Sequence, residues 1–307
     1  MSIGVQTAKN TTTKKTTLAS SARQFARRRW FNSLFHATSV YILLIIASFV
    51  FLLPFIWMML TAVKSAQEAS YFPPTIIPQT WQWTNFAEAW MYEGMKFSLW
   101  AWNTVLISAV VLAGTLITSS LCAYGFARIQ FPGSNFWFIA TIASVMLPPQ
   151  VTLIPLYVLF FKIGWLNTFA PLTVPAWFGG GALNIFLLRQ FFMQLPAELE
   201  DAAYIDGANR LQIWLRIFLP LSIPALLTVG IFTFQATWND FFGPLIFLTG
   251  RDKYTLALGM NLFNSQYGSE VQYMMAIAFL MTIPMIVVFF AAQKYFVGGI
   301  VLSGVNR

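Results

Sequence analysis

Acids and arginines are concentrated in one short stretch of the chain, ELEDAAYIDGANRLQIWLRIFLP, at residues 198–220. Its charged residues are Glu198, Glu200, Asp201, Asp206, Arg210 and Arg216. Side chains of both signs at this density suit ion pairing with another protein. A zinc site or a histidine-based triad is not expected, because the 307 residues include one histidine and one cysteine. We therefore interpret the stretch as a binding segment rather than a catalytic centre.

The first half of this stretch has the signals of a short helix. Pro196 suits the first turn, where a missing N–H costs nothing, and three acids follow near the positive end of the helix dipole. Gly207 suits the position just after the helix, which favours a left-handed backbone. We predict a helix over 196–206.

A second short helix is predicted over 208–218. Its apolar residues follow the i, i+3, i+4, i+7 spacing of one helix face, and they are Leu211, Trp214, Leu215 and Phe218. The predicted loop over 191–219 is far longer than the ~2–8 residues common between packed helices. Two interpretations remain: the loop docks a soluble partner, or it only connects two membrane helices.

The elements around this loop are membrane helices. Only 9% of the residues are charged, against about 25% in soluble domains. Too little polar surface remains to cover a soluble helical core. Uncharged runs long enough for the ~20-residue helix that crosses a bilayer occur six times. We predict an all-α integral membrane protein with helices near 39–62, 99–126, 136–160, 168–190, 219–248 and 271–293.

Charge sets the predicted orientation. With the N-terminus inside, the cytoplasmic parts hold thirteen lysines and arginines and the external parts hold five. Both termini and the loop 191–219 are then cytoplasmic, and the loop 63–98, which is rich in proline and tryptophan, is external. The basic segment 1–38 precedes a run too long for a signal-peptide core. This segment either contacts anionic lipid or acts only as a topology signal. Residues 39–307 form the predicted membrane domain.

The acidic stretch also resembles a known motif. DAAYIDGANRLQIWLRIFLP matches the EAA motif of ABC-importer permeases: an acid and two alanines, then glycine, then Ile-x-Leu-Pro. The matching residues are Asp201, Ala202, Ala203, Gly207, Ile217, Leu219 and Pro220. Aspartate replaces the usual glutamate at the first position. Three further segments are similar to landmarks of the carbohydrate-uptake family, in its MalG-like branch: AYGFARIQFPG, TWNDFFGPLIFL and KYFVGGIVLSGVNR. The ending Gly-Val-Asn-Arg departs from that family's usual tail.

This resemblance implies a type I ABC-importer permease with the MetI-like fold, in a bacterial or archaeal cytoplasmic membrane. The implied partners are a second, MalF-like permease, two cytoplasmic ATPase subunits and an external solute-binding protein, with no nucleic acid. ATP and Mg²⁺ would be bound by the ATPase subunits, and this chain would bind no cofactor. Gly207 would permit the tight turn, Ala202 and Ala203 would permit close approach to an ATPase cleft, and the acids would pair with its basic groups.

Polar residues inside the predicted spans are candidates for the translocation pathway. Asp240 is the acid that falls within a span, and it is a gate residue or a satisfied interfacial carboxylate. Gln235 and Asn239 share a helix face and could hydrogen-bond to sugar hydroxyls. Trp238 could stack on a sugar ring or anchor at the membrane interface. Four weaker candidates, each equally suited to contacts between helices, are Asn103, Ser119, Ser120 and Asn184.

Other functions fit the residues less well. A membrane protease or glycosyltransferase would need paired intramembrane acids, an H-E-x-x-H motif or a nucleophile beside a base, and none is found. The phosphate-binding pattern G-x-x-x-x-G-K-[ST] is absent, since FGGGALN at 178–184 lacks the lysine and suits helix packing or breaking. An anionic solute would need cations lining the pore, and we expect none there, which favours a neutral sugar. Polyols and glycerophosphodiesters are the alternative solutes.

Overall fold

A computed structural model of the chain describes residues 38–302. Within that range the regular elements are helical and no β-strand occurs. Four segments are long and apolar enough to cross a membrane, and two bent helix pairs raise the number to six if each pair is one span. The chain is thus an all-α integral membrane protein, as predicted. The predicted basic segment 1–38, apart from Thr38, and the tail 303–307 lie outside the described residues.

The helices, in chain order, are α1 (Thr38–Ala62), α2 (Ala66–Ala69), α3 (Asn85–Trp90), α4 (Phe97–Arg128), α5 (Ser134–Ala143), α6 (Pro149–Lys162), α7 (Ala170–Thr173), α8 (Ala182–Gln194), α9 (Glu198–Ile205), α10 (Arg210–Ile213), α11 (Leu219–Leu221), α12 (Ile223–Trp238), α13 (Phe242–Phe247), α14 (Leu256–Tyr267) and α15 (Val271–Leu302). A wider π-helical turn, Trp214–Phe218, joins α10 to α11. The chain divides into two compact units after Trp57, so that all elements from α2 onward belong to the second unit.

The third predicted span is a bent pair rather than one helix. The range predicted as a helix, 136–160, contains α5 and α6, whose segments meet at an angle of 96°. Pro148 has an extended backbone and Pro149 begins α6. Proline disfavours helical geometry in the residue before it, so two consecutive prolines end the first helix and start a new one in another direction.

The fourth predicted span, 168–190, is interrupted by glycines. Gly179, Gly180 and Gly181 all have positive φ, between 63° and 99°, and α8 begins only after them. A Cβ added at Gly180 would lie 2.7 Å from the carbonyl oxygen of Thr115 on α4. The glycines therefore break the helix and also permit close packing against α4.

The fifth predicted span, 219–248, is interrupted twice. The segments on either side of Ser222 meet at 80°, and α12 ends at Trp238 before the short helix α13. Asp240 consequently lies in a break between α12 and α13, not within a continuous helix over 219–248 as predicted.

The long helix α4 contributes to two separate hydrophobic clusters. Phe97 and Trp100 near its start pack with residues of α3, α14 and α15. Ala123 and Tyr124 near its end pack with residues of α8, α9, α12 and the π turn. Burial of apolar surface at both ends ties α4 to both sets of short helices.

The segment predicted as the external loop, 63–98, is ordered and carries α2 and α3. The Asn85 side chain donates to the carbonyl oxygens of Ala62 and Lys64, at 2.8 and 2.7 Å. These bonds fix the exit from α1 against α3.

Candidate functional site

The acidic helix α9 ends in a complete glycine cap. The N–H of Gly207 donates to the carbonyl of Tyr204 at 3.0 Å, and the N–H of Ala208 donates to that of Ala203 at 2.9 Å. This pair of bonds is a Schellman motif, which needs a left-handed residue, and Gly207 has φ +80°. The helix is shorter than the predicted 196–206, because Ala197 and Asp206 are its caps.

The second helix of the loop starts at a capping box. The Asn209 side chain accepts from the N–H of Gln212, and the Gln212 side chain accepts from the N–H of Asn209, both at 2.9 Å. The predicted apolar stripe over 208–218 is only half right. Trp214 and Phe218 are buried, whereas Leu211 and Leu215 are 60% and 54% exposed. Ile213, which lies outside the predicted stripe, is buried, and the π turn over Trp214–Phe218 breaks the regular spacing that the stripe assumes.

The inner side of the loop packs onto the membrane helices. Ala203 is buried in the cluster that includes Tyr124, Phe192 and Phe218. The Phe218 ring lies edge-on to Tyr124 and Phe192, with centroids 4.9 and 5.5 Å apart. Ile217 and Leu219 pack partly against the same cluster, while Pro220 is exposed in α11. These residues hold the loop rigidly, since aromatic pairs add stability beyond their buried area.

The outer side of the loop is apolar at its centre and acidic at its border. Leu199 and Ala202 are exposed along α9, and Ile205 at its end is 87% exposed. The exposed charged residues around them are Glu198, Asp201, Asp206 and Arg210. We call Leu199, Ala202 and Ile205 the outer face. Such a strip, rimmed by charge, is typical of a protein-binding surface. Ala202 thus faces outward, whereas Ala203 does not.

Glu200 differs from the other three acids because its carboxylate faces the interior of the chain. Tyr124 and Tyr204 each donate a hydroxyl hydrogen bond to its Oε1 atom at 3.3 Å. Its Oε2 atom lies 4.0 Å from Nε of Arg128 at the end of α4. The expectation that all the acids face an external partner therefore fails for Glu200. Sequence reasoning counted Arg128 only as a charge and missed Tyr124, because their link to Glu200 spans more than 70 residues.

The pathway candidates on α12 separate into exposed and buried residues. Gln235 and Asn239 are exposed, and the Asn239 side chain donates back to the carbonyl of Gln235 at 3.0 Å. Trp238 is buried; it stacks on Phe234 and donates from Nε1 to the carbonyl of Met281 at 3.0 Å. Trp238 thus packs α12 against α15.

The two asparagine candidates also make contacts within the chain. Asn103 is buried and donates to the carbonyls of Asp252 and Tyr254, at 2.9 and 3.0 Å. Asn184 donates to the carbonyl of Gly180 at 2.7 Å and lines a cavity of about 490 Å³ between α4, α8 and α12. Asn103 therefore joins α4 to the segment before α14, and Asn184 borders a cavity.

Asp240 lies one residue before Phe241, the N-cap of α13, and its side chain bonds to that helix. Its Oδ1 atom accepts from the N–H of Gly243 in the first turn of α13 at 3.0 Å. It also borders a cavity of about 300 Å³ with Thr237 and Thr255. This bond gives the carboxylate a partner, since no ion pair with Asp240 occurs among residues 38–302.

Asp240→Leu is expected to lower the free energy of unfolding by about 1 kcal/mol, because the N–H of Gly243 in the first turn of α13 loses its acceptor. Asp240→Asn keeps an acceptor oxygen and is expected to cost less. Thermal unfolding of the purified chain in detergent measures both. A leucine variant as stable as the parent would show that this hydrogen bond contributes nothing.

Within residues 38–302, no group of three or more metal-binding side chains is found. The loop formed by α9, Gly207 and α10 is the strongest candidate site because its outer face is exposed, apolar and bordered by charged residues, as a protein contact requires.

Comparisons with known proteins identify the family of the chain. The family model described as "Binding-protein-dependent transport system inner membrane component" matches residues 115–301. The chain is 32% identical over 280 residues to a probable ABC transporter permease protein, YurM, of Bacillus subtilis, covering 91% of each chain. It is 32% identical to the trehalose/maltose transport system permease protein MalG of Thermococcus litoralis, covering 83% of this chain and 92% of that one.

A solved structure shares the fold. It belongs to a bacterial ABC transporter involved in the import of the acidic polysaccharide alginate, and superimposes with a TM-score of 0.75 over 85% of this chain and 96% of that chain. The two sequences are 22% identical.

Proposed function

Since the chain belongs to the family of binding-protein-dependent transport system inner membrane components and is a carbohydrate-uptake ABC permease, we propose that it moves a sugar delivered by an external binding protein. The family is a transport component of the membrane rather than an enzyme. The partner ATPase subunits bind ATP and Mg²⁺. This chain supplies the path of the solute through the membrane and the site that receives the motion of the ATPase subunits.

The outer face of α9 supports the docking role. Leu199, Ala202 and Ile205 form an exposed apolar strip on a helix whose inner side is packed into the membrane domain. Exposed acids surround the strip and can pair with basic groups on an ATPase subunit. Because α9 is short, capped and anchored, a force on its outer face moves it as a rigid body, which is what coupling ATP hydrolysis to alternating access requires.

The charge distribution supports the orientation. In the orientation that places the loop and both termini in the cytoplasm, thirteen of the eighteen lysines and arginines are cytoplasmic. Cytoplasmic loops of membrane proteins carry such an excess. The chain is thus a multi-pass protein of a bacterial or archaeal cytoplasmic membrane, with α9 reachable by a cytoplasmic ATPase. A second, MalF-like permease completes the pore.

The charges within the spans support a neutral solute. Arg189 lies in α8, but its guanidinium stacks over the Phe138 ring at 4.0 Å and donates to the carbonyl of Phe126. This arginine is thereby engaged inside the chain. A neutral di- or oligosaccharide matches the hydrogen-bonding side chains of Gln235, Asn239 and Asn184 better than an anion does.

The experiment that tests the substrate class is a solute screen. The chain is purified with its co-purifying subunits, reconstituted with the binding protein, and assayed for ATP hydrolysis with sugars, polyols and glycerophosphodiesters. We expect a sugar to stimulate hydrolysis about tenfold or more over the basal rate, as differential binding of 1.4 kcal/mol allows. Stimulation by the other two classes alone would contradict the sugar assignment and keep the permease role.

A further inference from the structure

We propose that Arg128, together with Tyr124 and Glu200, is the positioning residue through which movement of α9 reaches α4. The inference rests on the proposed docking function and names the contact that carries its motion inward. We call these three residues the latch.

Arg128 holds four parts of the chain together. From the end of α4, its Nη2 atom donates to the carbonyl of Phe192 at 2.7 Å and also to that of Leu195, at the end of α8. Its guanidinium lies 5.1 Å from the ring centroid of Phe218 in the π turn, and its Nε atom is 4.0 Å from Glu200 on α9. The last carbonyls of a helix have no partners within the helix and attract a cation. The arginine therefore sits where α8, α9 and the π turn meet.

Burial makes this ion pair sensitive to change. The side chains of Arg128 and Glu200 are only 11% and 13% exposed. Removing one charge from a buried pair leaves the other uncompensated, which disturbs the site more than loss of a surface pair. Tyr124, one turn before Arg128 on α4, adds a hydroxyl bond to the same carboxylate. Glu200 therefore contacts α4 through one hydrogen bond, from Tyr124, and one ion pair, with Arg128.

The far end of α4 is fastened in turn. A helix of 32 residues is roughly 48 Å long. Before its first residue, Lys96 pairs with Asp252 at 2.5 Å, and within it Asn103 donates to the carbonyls of Asp252 and Tyr254. Displacement of Glu200 at one end can thus reach the segment around Asp252 at the other, through one continuous helix.

The test uses the complete transporter in lipid vesicles. Glu200→Gln keeps the side-chain shape and removes the charge, and Arg128→Gln removes the other partner. For variants that retain the ATPase at the parental level, ATP hydrolysed per solute imported is expected to rise about fivefold, within the range known for coupling residues. Because the two residues act together, the double variant is expected to be no worse than the worse single one. Lys162→Gln, which removes an exposed charge at the end of α6, is the matched control and is expected to leave the ratio unchanged.

A residue that served only to fold the chain would change assembly but not this ratio. Parental ratios in assembled Glu200→Gln and Arg128→Gln complexes would overturn the proposal, as would strictly additive effects. If neither variant assembles, Tyr124→Phe decides, since it deletes one hydroxyl: a raised ratio supports the latch, and a parental ratio overturns it. Absence of an ATPase from the parental complex would instead contradict the docking function.

Discussion

Gly207→Val is expected to reduce solute uptake by the transporter about tenfold or more, while binding of the external binding protein is unchanged. The glycine has φ +80°, and the left-handed region costs other residues roughly 1–2 kcal/mol, more when they are β-branched. An added Cβ would meet no atom within 4 Å, so the cost at the Cβ is conformational rather than steric. A cost of 1.4 kcal/mol shifts the equilibrium between the closed and the open Schellman cap about tenfold. The cap therefore opens in the valine variant, and α9 loses its fixed position.

Gly94→Val is the matched control for this prediction. Gly94 has φ +79°, is exposed and also has open space around its Cα. It lies between α3 and α4, away from the loop, so an equal conformational cost falls on a different part of the molecule. Uptake and binding-protein association are measured in vesicles for both variants. Equal losses for Gly94→Val and Gly207→Val would show that the effect is general destabilisation and not loss of coupling.

Ile205→Glu is expected to weaken association with the ATPase subunit by at least about 100-fold, because an unpaired charge buried at an interface costs several kcal/mol. The side chain is 87% exposed in the isolated chain, so its replacement should change the unfolding temperature little. Co-purification of the ATPase and thermal unfolding of the chain measure the two effects separately.

Ile77→Glu provides the comparison. Ile77 is 70% exposed but belongs to the segment between α2 and α3, predicted to be external. The ATPase should co-purify with this variant as with the parent. The docking assignment would fail if Ile205→Glu retained the ATPase fully, or if both variants lost it to the same degree.

Local signals made part of the loop predictable. Pro196, the acids and Gly207 each act on the backbone within a few residues, so a helix ending at a left-handed glycine follows from the sequence. The π turn does not, because the predicted stripe through Leu211 and Leu215 assumes regular spacing. The packing of Trp214 and Phe218 against α4 and α8 sets the burial instead.

Longer-range features left no signal in the sequence. The 96° bend within 136–160 is different, because Pro148 and Pro149 do signal it, but a prediction from hydropathy alone treats the apolar run as one helix. The contact of Arg128 with Glu200 joins residues distant in sequence and is fixed only by the packing of α4, α8 and α9. Asp240 was a pathway candidate because it falls within the predicted span 219–248. Its contact with the N–H of Gly243 depends instead on where α12 ends and α13 begins.

Cross-linking at position 205 tests the docking of α9 most directly. Cys122 is the single cysteine, so Cys122→Ala removes it and Ile205→Cys places one thiol on the outer face. A thiol–amine cross-linker applied to the assembled transporter is expected to join this position to the ATPase subunit, and Ile77→Cys in the same background is expected to give no such product. An assembled complex in which position 205 does not cross-link to the ATPase, or cross-links no more than position 77, would contradict the docking of α9.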